Sequence, residues 1–218
     1  MANPVVYNFP TSSANCIVSA VRLQNGERKF IFNGSLSLGL DYGSPIVLTG
    51  INRRINLQSA ANLSTVNFTI TGKYNNVEIT QTITGPNNSI VYFPSYYNTI
   101  SSITVDRDMP GTVNIGTGSV GVTNWFVYDH YKPYSNLAIA CFVNPNMNFT
   151  FRSTYDDVIG VKMADETGLY IDNPIANLAA RTTSITERTI FPFRFCRIEV
   201  NNSSGTGSGI FTLMQQGH

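Results

Sequence analysis

Apolar residues recur at every second position through most of this chain, and Gly, Asn and Pro gather between the runs. In STVNFTIT, Val66, Phe68 and Ile70 point one way while Thr65, Asn67 and Thr69 point the other. Val77, Ile79 and Ile83 continue the pattern, as do Ile103 with Val105, Val113 with Ile115, and Met147 with Phe149 and Phe151. Cys196, Ile198 and Val200, then Phe211 and Leu213, close it. Turn chemistry separates these runs at residues 72–76, 85–88, 109–111, 144–146 and 203–209. Short strands about 8–12 residues apart read as a sandwich or barrel rather than alternating strand–helix units. The one helix candidate is a turn or two near Ile175–Arg181, with Pro174 at its start. The fold class is all-β.

Within that class the chain repeats itself. NFTITGKYNNV (67–77) aligns without gaps on NFTFRSTYDDV (148–158), matching Asn67, Phe68, Thr69, Tyr74 and Val77 to Asn148, Phe149, Thr150, Tyr155 and Val158. Downstream, SSITVDRD with its following GTVNIGTG resembles FCRIEVNN with its following SGIFTLMQ. The reading is two tandem β-sandwich-like modules related by an internal duplication, although short β segments also match by chance. The boundary falls in GTGSVGV (116–122), read as a linker, which gives modules at 30–118 and 119–218. Residues 1–29 carry apolar patches (Val5, Val6, Tyr7, Phe9; Ile17, Val18, Val21, Leu23) without a hairpin partner and read as an extended N-terminal arm. Residues 159–192 lack alternation yet hold Asp165, Glu166, Asp172, Arg181, Glu187 and Arg188, and read as a long interaction loop.

The charge balance narrows function. Fourteen Lys and Arg against thirteen Asp and Glu leave +1 in 218 residues, with no surplus to hold a polyanion or an anionic membrane. No apolar run has the roughly 20 residues of a membrane span. Nucleic acid and membrane are therefore not expected partners. Cys16, Cys141 and Cys196 form no CxxC pair, so neither a zinc site nor a disulfide framework is expected. Free thiols in apolar contexts such as LAIACFV suit synthesis in a reducing compartment.

Catalytic constellations are thin. His130 in YDHYKPY stands beside Asp129, but an imidazole in an aromatic loop is more often a packing or hydrogen-bonding group, and no GxSxG elbow offers it a serine. Asp156-Asp157 fit a turn better than a glycosidase pair, and Asp165-Glu166 and Asp106/Asp108 read as solvated loop charges. No DxDxDG-type loop gathers oxygens around one calcium ion. Gly116, Gly118 and Gly121 mimic a phosphate loop but introduce no helix. The expectation is a protein that is not an enzyme and uses no cofactor or metal.

Aromatics are the enriched class. Tyr92, Phe93, Tyr96 and Tyr97 cluster in one segment, and Trp125, Phe126, Tyr128, Tyr131 and Tyr134 in another. They serve as core between the modules, as a subunit interface, or as stacking platforms for sugar. The interface candidates are Tyr7, Phe9, Tyr96, Tyr97, Trp125, Tyr128, Tyr131, Asp165, Arg181 and Arg188.

A resemblance adds to this reading. RRINLQSAANLSTVNFTITGKYNNVEITQTITGPNNSIVYFPSYYNTISSITVD, then GTVNIGTG, resembles a group of small virion-associated proteins of tailed bacteriophages. NWFVYDHYKPYSNLAIACFV, FTFRSTYDDV and FPFRFCRIEVNNSSGTGSGIFTLMQQG are similar to that group's usual ending, so the likeness covers residues 45–216. The chain departs from the pattern at Gln81-Thr82, where Glu is frequent, and in its longer 159–192 segment. The resemblance implies a structural subunit of the virion, made in the host bacterial cytoplasm, that assembles with itself and other virion proteins. Tail or neck is favoured, with capsid decoration the nearest alternative and a carbohydrate-binding module for host attachment the next.

Overall fold

The computed structural model describes residues 5–9, 13–36, 46–48, 51–74, 77–127, 136–143, 148–155, 173–189, 195–201 and 207–216. These residues are nearly all strand. The first half contains β1 (Val5–Phe9), β2 (Val18–Val21), β3 (Ile46–Val47), β4 (Asn52–Asn62), β5 (Asn67–Tyr74), β6 (Val77–Thr84), β7 (Asn87–Tyr97), β8 (Thr99–Val105) and β9 (Val113–Val122). The second contains β10 (Phe126–Val127), β11 (Asn136–Val143), β12 (Asn148–Thr154), β13 (Asn173–Pro174), β14 (Ile185–Thr189), β15 (Phe195–Asn201) and β16 (Gly207–Gln216). The helix candidate near residue 175 is a single 3-10 turn, Ala176–Leu178.

Two sandwiches emerge from the pairing. In the first, β3-β8-β5-β6 packs against β2, β9, β4 and β7; Phe68, Ile70 and Ile103 from one sheet share a core with Ile55, Leu57, Phe93 and Ile115 from the other. In the second, β10, β15, β12 and β13 pack against β1-β16-β11-β14, with Phe149, Phe151 and Ile198 meeting Ile139, Cys141 and Phe211. Each strand from β3 to β9 thus has a counterpart from β10 to β16 with the same neighbours. Registers correspond too. Phe68 faces Val105 and Ile70 faces Ile103, as Phe149 faces Val200 and Phe151 faces Ile198. All these pairs are antiparallel, and eight strands in two sheets with each long connection crossing between layers is the arrangement of a jelly roll.

Three expectations change here. Residues 116–122 are not a linker: they lie inside β9, which pairs with β4 on one side and with β2 and β15 on the other. Through the β9–β15 pairing (Val122 opposite Glu199, Gly121 opposite Val200) the two sandwiches share one eight-stranded sheet, so no break in the sheet separates 30–118 from 119–218. The glycines that suggested flexibility serve close approach instead: a Cβ on Gly116 would collide with the backbone of Ser13 and Ala14, which cross β9 there.

Nor do the described residues of the 1–29 segment, 5–9 and 13–29, form a free arm. Cys16, Ile17, Val18 and Leu23 are buried in the first core, Ile17 N–H donates to Ile115 O at 3.0 Å, and Phe30 N–H donates to Ile103 O at 3.0 Å. Residues 5–9 form β1, paired with β16. Their hydrophobic patches lacked a visible partner because β9 and β16 lie about a hundred and two hundred residues downstream. Within 159–192, residues 173–189 supply β13, the 3-10 turn and the edge strand β14 rather than one loop. ITERT concealed that strand because edges tolerate polar and charged residues on both faces.

Deleting residues 1–24 is therefore expected to abolish the cooperative β-sheet transition in circular dichroism, whereas the milder Ile17→Ala costs roughly 2–5 kcal/mol in urea unfolding. A 1–24 deletion that unfolds like the full chain would contradict this packing.

Candidate functional site

The aromatic clusters converge where the sandwiches meet. Arg54 on β4 lies opposite Tyr96 on β7, with its guanidinium 5.1 Å from the ring centre. From the second sandwich, Arg197 on β15 stacks over Trp125 at 4.5 Å and reaches Tyr96 at 5.8 Å. Arg197 and Trp125 are 3% and 5% exposed, so this stack is sealed from solvent. A planar, weakly hydrated guanidinium suits such a place better than an ammonium. Strand β15 contributes on both faces: Phe195 enters the first core, Cys196, Ile198 and Val200 the second.

Polar groups finish the join. Thr123 N–H donates to Ile198 O at 2.9 Å and its Oγ1 accepts from Ile198 N–H at 3.1 Å. Asn52 Nδ2 donates to Val122 O at 2.9 Å and Asn124 Oδ1 at 3.0 Å. Arg53, 2% exposed, donates Nη1 to Gly118 O at 2.8 Å, and burial pulls its pKa below the ordinary arginine value. Tyr97 Oη donates to Gln81 Oε1 at 3.0 Å, which also accepts Ser95 N–H at 3.2 Å, while Gln81 Nε2 donates to Ser95 Oγ at 2.6 Å. The amide at the departure point Gln81 thus both donates and accepts between β6 and β7.

Of the ten interface candidates, Tyr96, Tyr97 and Trp125 are committed inside this chain and cannot face a neighbour or a sugar. Arg181 pairs its backbone with Phe149 (N–H to O at 2.8 Å, and Phe149 N–H to Arg181 O at 2.9 Å). Tyr7 and Phe9 occupy β1 opposite Gly209 and Gly207, and Arg188 occupies β14 opposite Ala138. Tyr128, Tyr131 and Asp165 lie outside the described residues, as do His130, Asp156, Asp157 and Glu166. Sequence reading missed Arg53 and Arg197. Their signal was an arginine among core residues, as in FRFCRIEV, where no polar face alternates.

The exposed surfaces lie elsewhere. On the outer face of the β16–β11 sheet, Phe142 stands opposite Ile210 and Met214 opposite Ala138; Phe142, Ile210 and Met214 are 60%, 40% and 49% exposed. On the first sandwich, Gln58, Ser59, Asn88, Ser89, Ile90 and Asn114 line an open, uncharged cleft of about 310 Å³, with half-exposed Tyr92 one step along β7. Asp106 and Asp108 act as fasteners. The Asn67 N–H at 2.9 Å, then Arg107, hold Asp106 below the usual carboxylate range; Arg28 and then the Gly26 N–H do so for Asp108.

Two measurements test this account. Arg197→Lys is expected to cost about 1–2 kcal/mol and to shift emission of the sole tryptophan, Trp125, to longer wavelength, because an ammonium cannot cover the indole; unchanged stability and emission would remove the stack from the join. Burial pushes the Cys141 thiol from 9.0 up to about 12, and Cys196 and Tyr97 also rise through burial. These groups stay protonated in the folded chain while the unfolded chain ionises, so their contribution is intact below about pH 9 and is lost as pH rises through the folded values. The urea midpoint should hold from pH 7 to about 8.5 and fall above about 9, with the three buried thiols silent to a thiol reagent until denaturation. No family model matches the chain, and a search of curated proteins finds no significant match.

Proposed function

We propose that this chain is a non-enzymatic structural subunit of a tailed-phage particle, working as a homo-oligomer at the tail or neck, with the capsid exterior as the next address. The observation that carries the reading is the apolar row of Phe142, Ile210 and Met214 on an outer sheet face. Large apolar side chains grouped on one face mark a surface that association covers. A shared sheet supports the same reading, since two sandwiches joined edge to edge cannot hinge freely and so hold whatever surfaces they carry in fixed relation. Jelly rolls build capsid proteins and also lectins, so the fold favours particle or glycan roles without choosing between them. The particle reading rests further on the sequence resemblance to virion-associated proteins.

A second reading is a glycan-binding attachment module. The uncharged cleft beside Tyr92 favours it, because amides and hydroxyls next to an exposed ring match the polar edge and apolar face of a sugar. A glycan array comparing the native chain with Gln58→Ala and Tyr92→Ala would support it by signal lost in the variants, and silence from the native chain discards it.

For the first reading, light scattering coupled to gel filtration should show an oligomer that Phe142→Asp weakens at least tenfold in dissociation constant while the far-ultraviolet spectrum is retained. Mass spectrometry of purified particles should find the chain at a fixed copy number, and gold labelling should decorate the tail or neck. A monomer absent from particles would overturn the proposal; label on the head exterior would move it to capsid decoration.

A further inference from the structure

The sequence holds two Asn-Gly steps, Asn25-Gly26 and Asn33-Gly34, and both fall in the segment that packs on the first sandwich. Asparagine before glycine is chemically labile, because glycine has no side chain to keep its backbone nitrogen away from the neighbouring amide carbon. In a folded chain the reaction depends on how freely the amide turns towards that nitrogen, and here the two steps differ.

Asn33 is held at both ends. Its Oδ1 accepts Ser19 N–H at 2.7 Å and its Nδ2 donates to Ser19 O at 3.2 Å. The nitrogen that would attack it, Gly34 N, donates to Ile17 O at 2.9 Å, and a Cβ on Gly34 would collide with the backbone of Cys16. Asn25 is the opposite. It sits at the tip of a two-residue turn closed by Glu27 N–H to Gln24 O at 3.0 Å, with φ of 56° at Asn25 and 87° at Gly26. Both residues are exposed, and the Asn25 amide makes no side-chain hydrogen bond among the described residues. Apart from the chain neighbours, no atom lies within 4 Å of where a Cβ on Gly26 would stand, and the Gly26 N–H makes only a long contact, 3.3 Å, with Asp108 Oδ1.

We propose that Asn25 is a site of spontaneous deamidation in the folded chain, while the fold protects Asn33. The Gly26 backbone nitrogen gives its proton to solvent base and bonds to Asn25 Cγ. The Cγ–Nδ2 bond breaks, and Nδ2 takes a proton from water and leaves as ammonia, closing a succinimide ring. Water then opens either carbon–nitrogen bond of the ring, leaving a carboxylate at position 25 in a normal or an isoaspartyl backbone.

The product matters because of what faces it. The N–H groups of residues 25 and 26 both donate to the Asp108 carboxylate, and Arg28 donates to the same group at 2.6 Å. Deamidation sets a second carboxylate beside the first with one arginine to serve both, and it cancels the formal net charge of +1. The isoaspartyl form also lengthens the backbone of the turn. This turn joins Leu23, whose O accepts Met109 N–H at 3.0 Å, to the buried Phe30, so a change at one exposed residue loosens the seat of 23–30 on the first core.

The native chain itself supplies the test. It is incubated in mildly alkaline buffer, folded in one arm and in urea in the other, and digested briefly with trypsin, which frees residues 23–28 and 30–53 as separate peptides. In the folded arm the Asn25 peptide should gain the mass difference between an amide and a carboxylate about tenfold or more faster than Asn33 does, because a clamped amide cannot reach the attacking geometry. In urea the two should react at comparable rates. An acidic form should accumulate in step on isoelectric focusing, with a lower urea midpoint, and Asn25→Asp should show that lower midpoint without ageing. An unreacted Asn25 in the folded arm while the urea arm reacts, or equal rates at Asn25 and Asn33 in the folded arm, would overturn the proposal. An unshifted midpoint for both the aged chain and Asn25→Asp would overturn the loosening of 23–30.

Discussion

Strand β15 has almost no solvent face, and the rest of the architecture follows from that. A strand in an ordinary sandwich presents one face to a core and the other to water. Here Phe195 enters one core, Cys196, Ile198 and Val200 enter the other, and Arg197 occupies the remaining inward position. A buried guanidinium is tolerable only when its plane is covered and its protons are directed, and Trp125 with Tyr96 supplies the cover. Had an aliphatic side chain stood there, the sandwiches could still pack, but the cation contact between Tyr96 and the second half would be lost. The stack therefore works with the β9–β15 ladder to set one orientation rather than many.

How much of this was readable in advance depended on where each strand's partner lay and how many of its faces were buried. β5 and β12 were legible because both alternate cleanly, Phe68 and Ile70 or Phe149 and Phe151 inward and threonine, asparagine or arginine outward. β9 was read as a linker because GTGSVGV has the composition of one; its glycines are present so that Ser13 and Ala14 can cross the strand and Ile51 can press on Gly121. β14 was read as loop because an edge strand needs no apolar alternation. The buried segment at Cys16–Val18 looked like a free arm because β9, its partner, is remote in sequence.

The aromatic clusters show a different limit. Tyr96 and Trp125 stood out by composition, and composition is the same whether a large ring fills a join within one chain or a contact between two. The discriminating sign was the arginine, not the ring. Arg54 and Arg197 lie within strands and supply cations to those faces. Free surface is marked instead by residues that drew little notice in sequence, Phe142, Ile210 and Met214, each the outward member of an alternating pair. An outward apolar residue on a strand is easily taken for core when the inward face is apolar as well, as in LAIACFV.

The position of β1 ties completion of the second sandwich to the order of synthesis. β1 is made before any other described strand and β16 after all of them, so β1 has no partner on its own chain until the remainder exists. Closing contacts separated by nearly the whole chain is slow, because the entropy of the intervening loop opposes the pairing until both sandwiches have formed. During that interval the outer edge of β16 has no partner strand. Edges left open in this way pair with whatever extended strand reaches them first. Closure of β1 onto β16, in the register that sets residues 7 and 9 opposite Gly209 and Gly207, removes that open edge.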